Sequence, residues 1–218
     1  MPLNIFGPGG PYSPMVECAI AYMTATGIEM SVMMGTPEQW MGLAQHTADL
    51  VYGGAEYMMT DFIDAYPDMV DPDSITQLYA REIGIIVRPG NPAGVESLPD
   101  LGQKGLGVLK VEREKMEFLH NIAGITGDDN VHTVVTGNEA FDLWPVKIDI
   151  HAWVTYRSWH VKLGDSSYFI RLPEHERVYR STPIAITNRS KNRREAIQFI
   201  NFLQSQTGHG IFQKWGWE

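Results

Sequence analysis

Apolar residues in this chain recur in two rhythms that alternate along its length. Leu3-Asn4-Ile5-Phe6 has the look of a short buried strand, and after Gly7-Pro8-Gly9-Gly10-Pro11-Tyr12-Ser13-Pro14 the residues Met15, Val16, Ala19, Ile20 and Met23 fall at helical spacing. Ser13 is expected at the N-cap of that helix and Pro14 at its first position, where a missing N–H costs nothing. Gly27 is expected to end it. Ile28 to Met34 then places Ile28, Met30, Val32 and Met34 on one face of a second strand, which makes a parallel β-α-β unit. Gly35-Thr36-Pro37-Glu38-Gln39 opens the next helix, with Thr36 and Gln39 at capping-box spacing. Asp49 to Tyr52 reads as a third strand, and Gly53-Gly54-Ala55-Glu56 turns the chain into a helix that runs to about Ala65.

A proline- and aspartate-rich turn from Asp68 to Ser74 separates this repeat from a long strand, Leu78 to Val87, which Pro89-Gly90-Asn91-Pro92 stops. Further elements are a helical turn at Leu98 to Leu101, strands at Gly107 to Val111 and Val131 to Val135, and helices at Glu114 to Ala123 and Glu139 to Leu143. Strands follow at Ile150 to Tyr156, Tyr168 to Leu172 and Pro183 to Thr187. A last helix carries Ala196, Phe199, Ile200 and Leu203 on one face. The alternation predicts an α/β protein.

Composition narrows the function. With 218 residues, 44% apolar and 20% charged, the chain can build one large or two small cores, which excludes disorder. Its net charge of −9 disfavours nonspecific attraction to nucleic acid or anionic lipid. No apolar run, Ile83 to Val87 included, approaches the ~18 residues a bilayer span needs. Cys18 is the sole cysteine, so an intramolecular disulfide is excluded and the redox compartment is left open. Met1-Pro2 leads straight into the first strand without a basic or apolar leader, a start compatible with a cytosolic protein or with a removed signal.

Several chemistries fail on spacing. No Gly-Lys-Ser/Thr follows the first glycine loop and the third glycine of a dinucleotide fingerprint is missing, so no nucleotide cofactor is expected. The seven histidines are scattered, and Asp61, Asp64, Asp68, Asp71 and Asp73 lack the register of a calcium loop, so no metal site is expected. No Ser-His-Asp set can be proposed. What remains is an anion site. A helix N-terminus leaves backbone N–H groups unpaired and carries about +0.5 charge, and a glycine loop feeding it lets a small anion approach closely. In an open α/β sheet ligands bind beyond the carboxyl ends of the strands. The loops at Gly9-Gly10 with Tyr12 and Ser13, at Gly35-Thr36 and at Gly53-Gly54 are expected there. Tight turns alone also account for these glycines.

Taken with its residues, this order resembles the periplasmic solute-binding proteins of ABC importers of the molybdate- and sulfate-binding type. It is most similar to the accessory colonization factor C family, whose mature chains begin with a strand and Gly-Pro-Gly-Gly-Pro, here Asn4 to Pro11. Asp49 to Glu56, Leu78 to Glu82, Gly90-Asn91-Pro92, Ile150 to Trp153 and Ala196 to Gly216 add to the likeness. The resemblance implies a two-lobed type II periplasmic binding fold. Each lobe would be a mixed, mostly parallel sheet flanked by helices, with two crossover strands and a ligand cleft between the lobes. Residues 1–81 and 183–218 would form lobe one and residues 82–182 lobe two. In place of the family's small-residue, glycine-rich loop after the first strand of lobe two, this chain has Val111-Glu112-Arg113-Glu114-Lys115. Arg113 could substitute a side-chain cation for backbone donors, while Glu112 and Glu114 could repel an anion or accept from an amine. Arg81, at the start of a crossover strand, could grip a carboxylate bidentately or form an internal ion pair. Thr155 and Tyr156, ending a strand of lobe two, could cover and hydrogen-bond a polar ligand, or simply pack.

The resulting expectation is an extracytoplasmic, periplasmic receptor, monomeric and non-enzymatic, that presents a small anion to an ABC permease. A carboxylate such as an aspartate-like amino acid is favoured over a tetrahedral oxyanion. The alternatives are an enzyme acting on a small acid on the same scaffold and a cytosolic effector-binding sensor domain.

Overall fold

A computed structural model describes residues 2–103, 105–125 and 130–218. Met1, the chain start noted above, lies outside the described residues. The chain divides into two compact units, Met1–Ala80 with Arg180–Glu218, and Arg81–Tyr179.

In unit one, strands β1 (Leu3–Gly7), β2 (Met30–Met34) and β3 (Leu50–Tyr52) run parallel in the order β2-β1-β3. Each is followed by a helix: α1 (Tyr12–Thr26), α2 (Pro37–Thr47) and α3 (Glu56–Ala65). Period-two alternation gives the sheet two buried faces. Leu3, Ile5, Leu50 and Tyr52 pack with Met15, Cys18, Phe199 and Phe212 on one side, and Phe6 and Val51 with Trp40, Met59 and Phe62 on the other. The chain leaves this unit along β4 (Thr76–Val87) and returns along β9 (Tyr179–Ile186), whose later residues lie antiparallel to β3. Helices α8 (Arg193–Leu203) and α9 (Gln206–Lys214) complete the unit.

Unit two contains α4 (Pro99–Gln103), β5 (Val108–Val111), α5 (Glu117–Ile122), β6 (Val131–Val134), α6 (Gly137–Leu143), β7 (Ala152–Tyr156), α7 (Arg157–Leu163) and β8 (Tyr168–Arg171). Strand β5 lies parallel to both β6 and β7, and the second half of β4 runs antiparallel to β7 and β8. Its core is contiguous, from Ile83, Ile85 and Ile86 to Trp144, Trp153 and Trp159.

Three local expectations need correction. Ser13 is not the N-cap: α1 starts at Tyr12, because Pro11 already sits at φ −79° and Gly9 O accepts the Tyr12 N–H at 3.3 Å. Pro14 therefore stands at the third helical position, still among the four residues whose N–H groups lack helical partners. The helix expected from Glu114 begins only at Glu117, because Glu112–Glu114 forms a single 3-10 turn and Lys115 adopts a left-handed φ of 49°. Helix α7, which carries Ser158 and Trp159, was not foreseen. It has no side-chain cap, so nothing in the sequence marks its start.

Candidate ligand-binding site

The carboxyl edge of the parallel strands in unit one gathers the glycine loops. Gly7 pairs with Met34 and Phe6 with Val51, so the loops after β1, β2 and β3 leave the sheet side by side. Gly9, Gly10, Tyr12 and Ser13 lie in the first loop and the first turn of α1, Gly35 and Thr36 in the second loop, and Gly53 and Gly54 in the third. The amides differ in what they have to offer. Gly35 N–H donates to Gly7 O at 3.0 Å, Thr36 N–H to Gln39 Oε1 at 2.8 Å, and Gly53 N–H to Pro183 O at 2.8 Å. Those three amides serve the fold, and the Thr36 side chain takes part in the capping box with Gln39. The cap residues of α1 and α3, Pro11 and Ala55, provide no side-chain capping bond, and Tyr12 N–H donates to Gly9 O at 3.3 Å.

Glu56, in the first turn of α3, belongs to the same edge. Its Oε1 accepts from Ser181 N–H at 2.6 Å and Ser181 Oγ–H at 2.8 Å. Burial opposes its ionisation, but the Ser181 donors, its own amide and the nearby Arg180 charge outweigh that and lower its pKa. Tyr52, 1% exposed, lays its ring over Gly7: a Cβ there would stand 2.5 Å from Tyr52 Cε2. Burial raises the Tyr52 pKa, so the phenol stays protonated.

Unit two presents charge where unit one presents backbone. The carboxyl ends of β5 and β7 point the same way, and because β4 is antiparallel with Ile83 opposite Tyr156, Arg81 projects past that same edge. Arg81 is 2% exposed, and its guanidinium carbon stands 3.6 Å from the Tyr156 ring centroid, a buried cation–π contact. Beside it is Glu114, 5% exposed, whose Oε2 accepts from Thr155 Oγ1 at 2.7 Å and whose Oε1 accepts from Trp159 Nε1 at 2.8 Å. Desolvation lifts the Glu114 pKa to about 7, against the opposing pull of Thr155, Arg81 and Trp159. Lys162 Nζ stands 4.4 Å from the Trp159 ring centroid, and burial followed by repulsion from Arg81 brings its pKa down to about 7.

Arg81, Thr155 and Tyr156 thus form one buried cluster, while Arg113 is exposed and donates its N–H to Val135 O at 3.1 Å. The cluster also brings in Glu114, Trp159 and Lys162. The departing loop was the available signal for Glu114; Lys162 could not be found without knowing α7. The neighbouring Glu82, also buried, pairs with Arg171 at 2.8 Å. Among the described residues no group of His, Cys, Asp and Glu could hold a metal ion, and no helix is long and apolar enough to cross a membrane.

A chain with this fold and these two edges has the architecture of a solute receptor, and comparison with known proteins agrees. It belongs to the bacterial extracellular solute-binding protein family, whose model matches residues 3–116 and 121–218. Among solved structures it is similar to Peb3 from Campylobacter jejuni, at 22% identity with a TM-score of 0.82 over 99% of each chain. L-phospholactate-bound PEB3 gives a TM-score of 0.84 at the same 22% identity and 99% coverage of both chains. The sulfate-binding protein SubI from Mycobacterium tuberculosis H37Rv gives 0.77 at 19% identity, over 100% of this chain and 86% of that one. These likenesses establish the type II periplasmic binding fold. A comparison with curated proteins found no match.

Proposed function

We propose that the chain is a periplasmic receptor that captures a small anion for an ABC-type permease, acting as a monomer and leaving its ligand chemically unchanged. The observation that carries this reading is the unit-one edge, where α1 and α3 begin without side-chain caps beside glycine loops. Partial positive charge at the start of α1 favours an anion, and glycine keeps the approach open, while the start of α3 already faces the Glu56 carboxylate. Gly9, Gly10, Tyr12, Ser13, Thr36 and Gly54 are the contacts we assign in unit one, with Gly35 and Gly53 shaping the loops. Arg81, Thr155 and Tyr156 are the contacts we assign in unit two, with Arg113 as an outer cation. Binding of L-phospholactate by PEB3 and of sulfate by SubI supports an anionic ligand. A carboxylate-bearing molecule is favoured over a bare oxyanion, because a guanidinium matches the planar carboxylate fork.

Titration calorimetry with sulfate, molybdate, succinate, malate and aspartate tests the reading. A saturable heat with a carboxylate is expected; heat from none of these contradicts anion capture. Recovery of the bound compound unaltered after prolonged incubation is expected of a receptor, and a new product would contradict it.

A further inference from the structure

The segment from Tyr52 to Glu56 carries a second feature. The Tyr52 hydroxyl and Glu56 Oε2 are both buried and have no hydrogen-bond partner among the described residues. An orphaned buried polar atom ordinarily costs ~1–3 kcal/mol, so two of them four residues apart, in a strand-to-helix turn, require a reason. Their placement supplies one. Leu3, Ile5 and Gly7 share a face of β1, and the Tyr52 ring occupies the space a side chain at Gly7 would fill. The phenol is thereby carried toward the first loop, where Tyr12, the first residue of α1, is close enough to add to the rise in its pKa that burial causes. Glu56 is fixed from the other side, since Ser181 holds Oε1 and leaves Oε2 as a preset acceptor.

We infer that Tyr52 and Glu56 are ligand-binding residues that select a small acid bearing a hydroxyl or ammonium group beside its carboxylate. The inference rests on the anion-receptor reading and extends it. The phenol donates to the anionic oxygen that the helix starts attract, and Glu56 Oε2 accepts from the ligand's O–H or N–H. An acid without such a donor leaves Oε2 unsatisfied, and penalties of that kind discriminate strongly between near-isosteres. Arg180, close enough to lower the Glu56 pKa, keeps the carboxylate ionised and therefore an acceptor only.

The test is a matched panel measured by calorimetry on the whole chain: propionate, lactate and alanine, then succinate, malate and aspartate, with sulfate as the donor-free anion. At least one hydroxy or amino acid is expected to bind about tenfold or more tightly than its unsubstituted counterpart. E56Q keeps an oxygen for Ser181 and turns the orphan position into a donor, so that preference should collapse. Y52F should weaken binding about five- to tenfold while leaving the melting temperature unchanged or raised. If succinate or propionate binds as tightly as its substituted partners, or sulfate alone binds, this inference is overturned and the receptor reading stands. If no compound binds, both fall. A loss of several degrees in Y52F would show the hydroxyl to be held internally and would also overturn it, as would a Glu56 orphan that an ordered water satisfies with no change in selectivity in E56Q.

Discussion

The two units turn different materials toward the ends of their parallel strands. Unit one offers helix starts, glycine loops and two neutral or singly charged orphans, whereas unit two offers the buried Arg81 and Glu114 with a half-buried Lys162. A backbone edge does not titrate and is fixed by hydrogen bonds of the fold itself. A buried charged cluster depends on every member, because each holds another's charge or donor in place. The unit-one edge should therefore respond to pH only in the acid range, where Glu56 with its lowered pKa gains a proton, and unit two across neutrality through Glu114 and Lys162.

The sharpest way to break that contrast is R81M. It removes a buried cation from beside Tyr156 and the Glu114 carboxyl, and should lower the unfolding free energy by about 3–5 kcal/mol in urea titrations. A loss below about 1 kcal/mol would mean the cluster is not coupled.

Next comes pH. The Glu114 carboxyl ionises near 4.5 when unfolded and near 7 when folded, so between those values the folded state binds more protons. Stability from this group is thus fully present at low pH and declines as pH rises through that window, with a limiting slope of about 1.4 kcal/mol per pH unit. Lys162 acts above it: folded it loses its proton near 7, unfolded near 10.5, so its contribution rises with pH across that range. His120 and His160, whose pKa values burial lowers, oppose Glu114 below about pH 6.5, so the difference between wild type and E114Q isolates the acid limb. That difference should change most between pH 5 and 7 and level off by about pH 8; K162M should remove the alkaline rise.

In unit one, G7A forces a methyl group into the Tyr52 ring and should cost about 1–3 kcal/mol by thermal or urea unfolding. The smallest effect should come from Q39A, which removes the acceptor for Thr36 N–H and should cost about 1 kcal/mol or less, without a pH dependence.

This division also explains what could be read in advance. The α/β class and the three strand-loop-helix repeats of unit one were legible because glycine, proline and capping pairs act locally, as Thr36 and Gln39 do around Pro37. The loop positions followed from strand order. Which amides those loops keep for themselves did not, because Gly35 and Gly53 are engaged by Gly7 and Pro183, residues far away in sequence. In unit two Arg81 and Tyr156 were visible as candidates, but their partner Glu114 is defined by burial and by contacts 41 and 45 residues distant, which no local pattern encodes. Lys115 in a left-handed conformation shows why the helix after β5 began late.

The most direct test of anion capture by the unit-one edge is an amide-detected NMR titration with the tightest-binding acid of the panel. The account predicts large shifts at Gly9, Gly10, Ser13 and Gly54, with Gly27 and Gly164 unmoved as internal controls. Saturable binding that leaves those four amides where they began would contradict it.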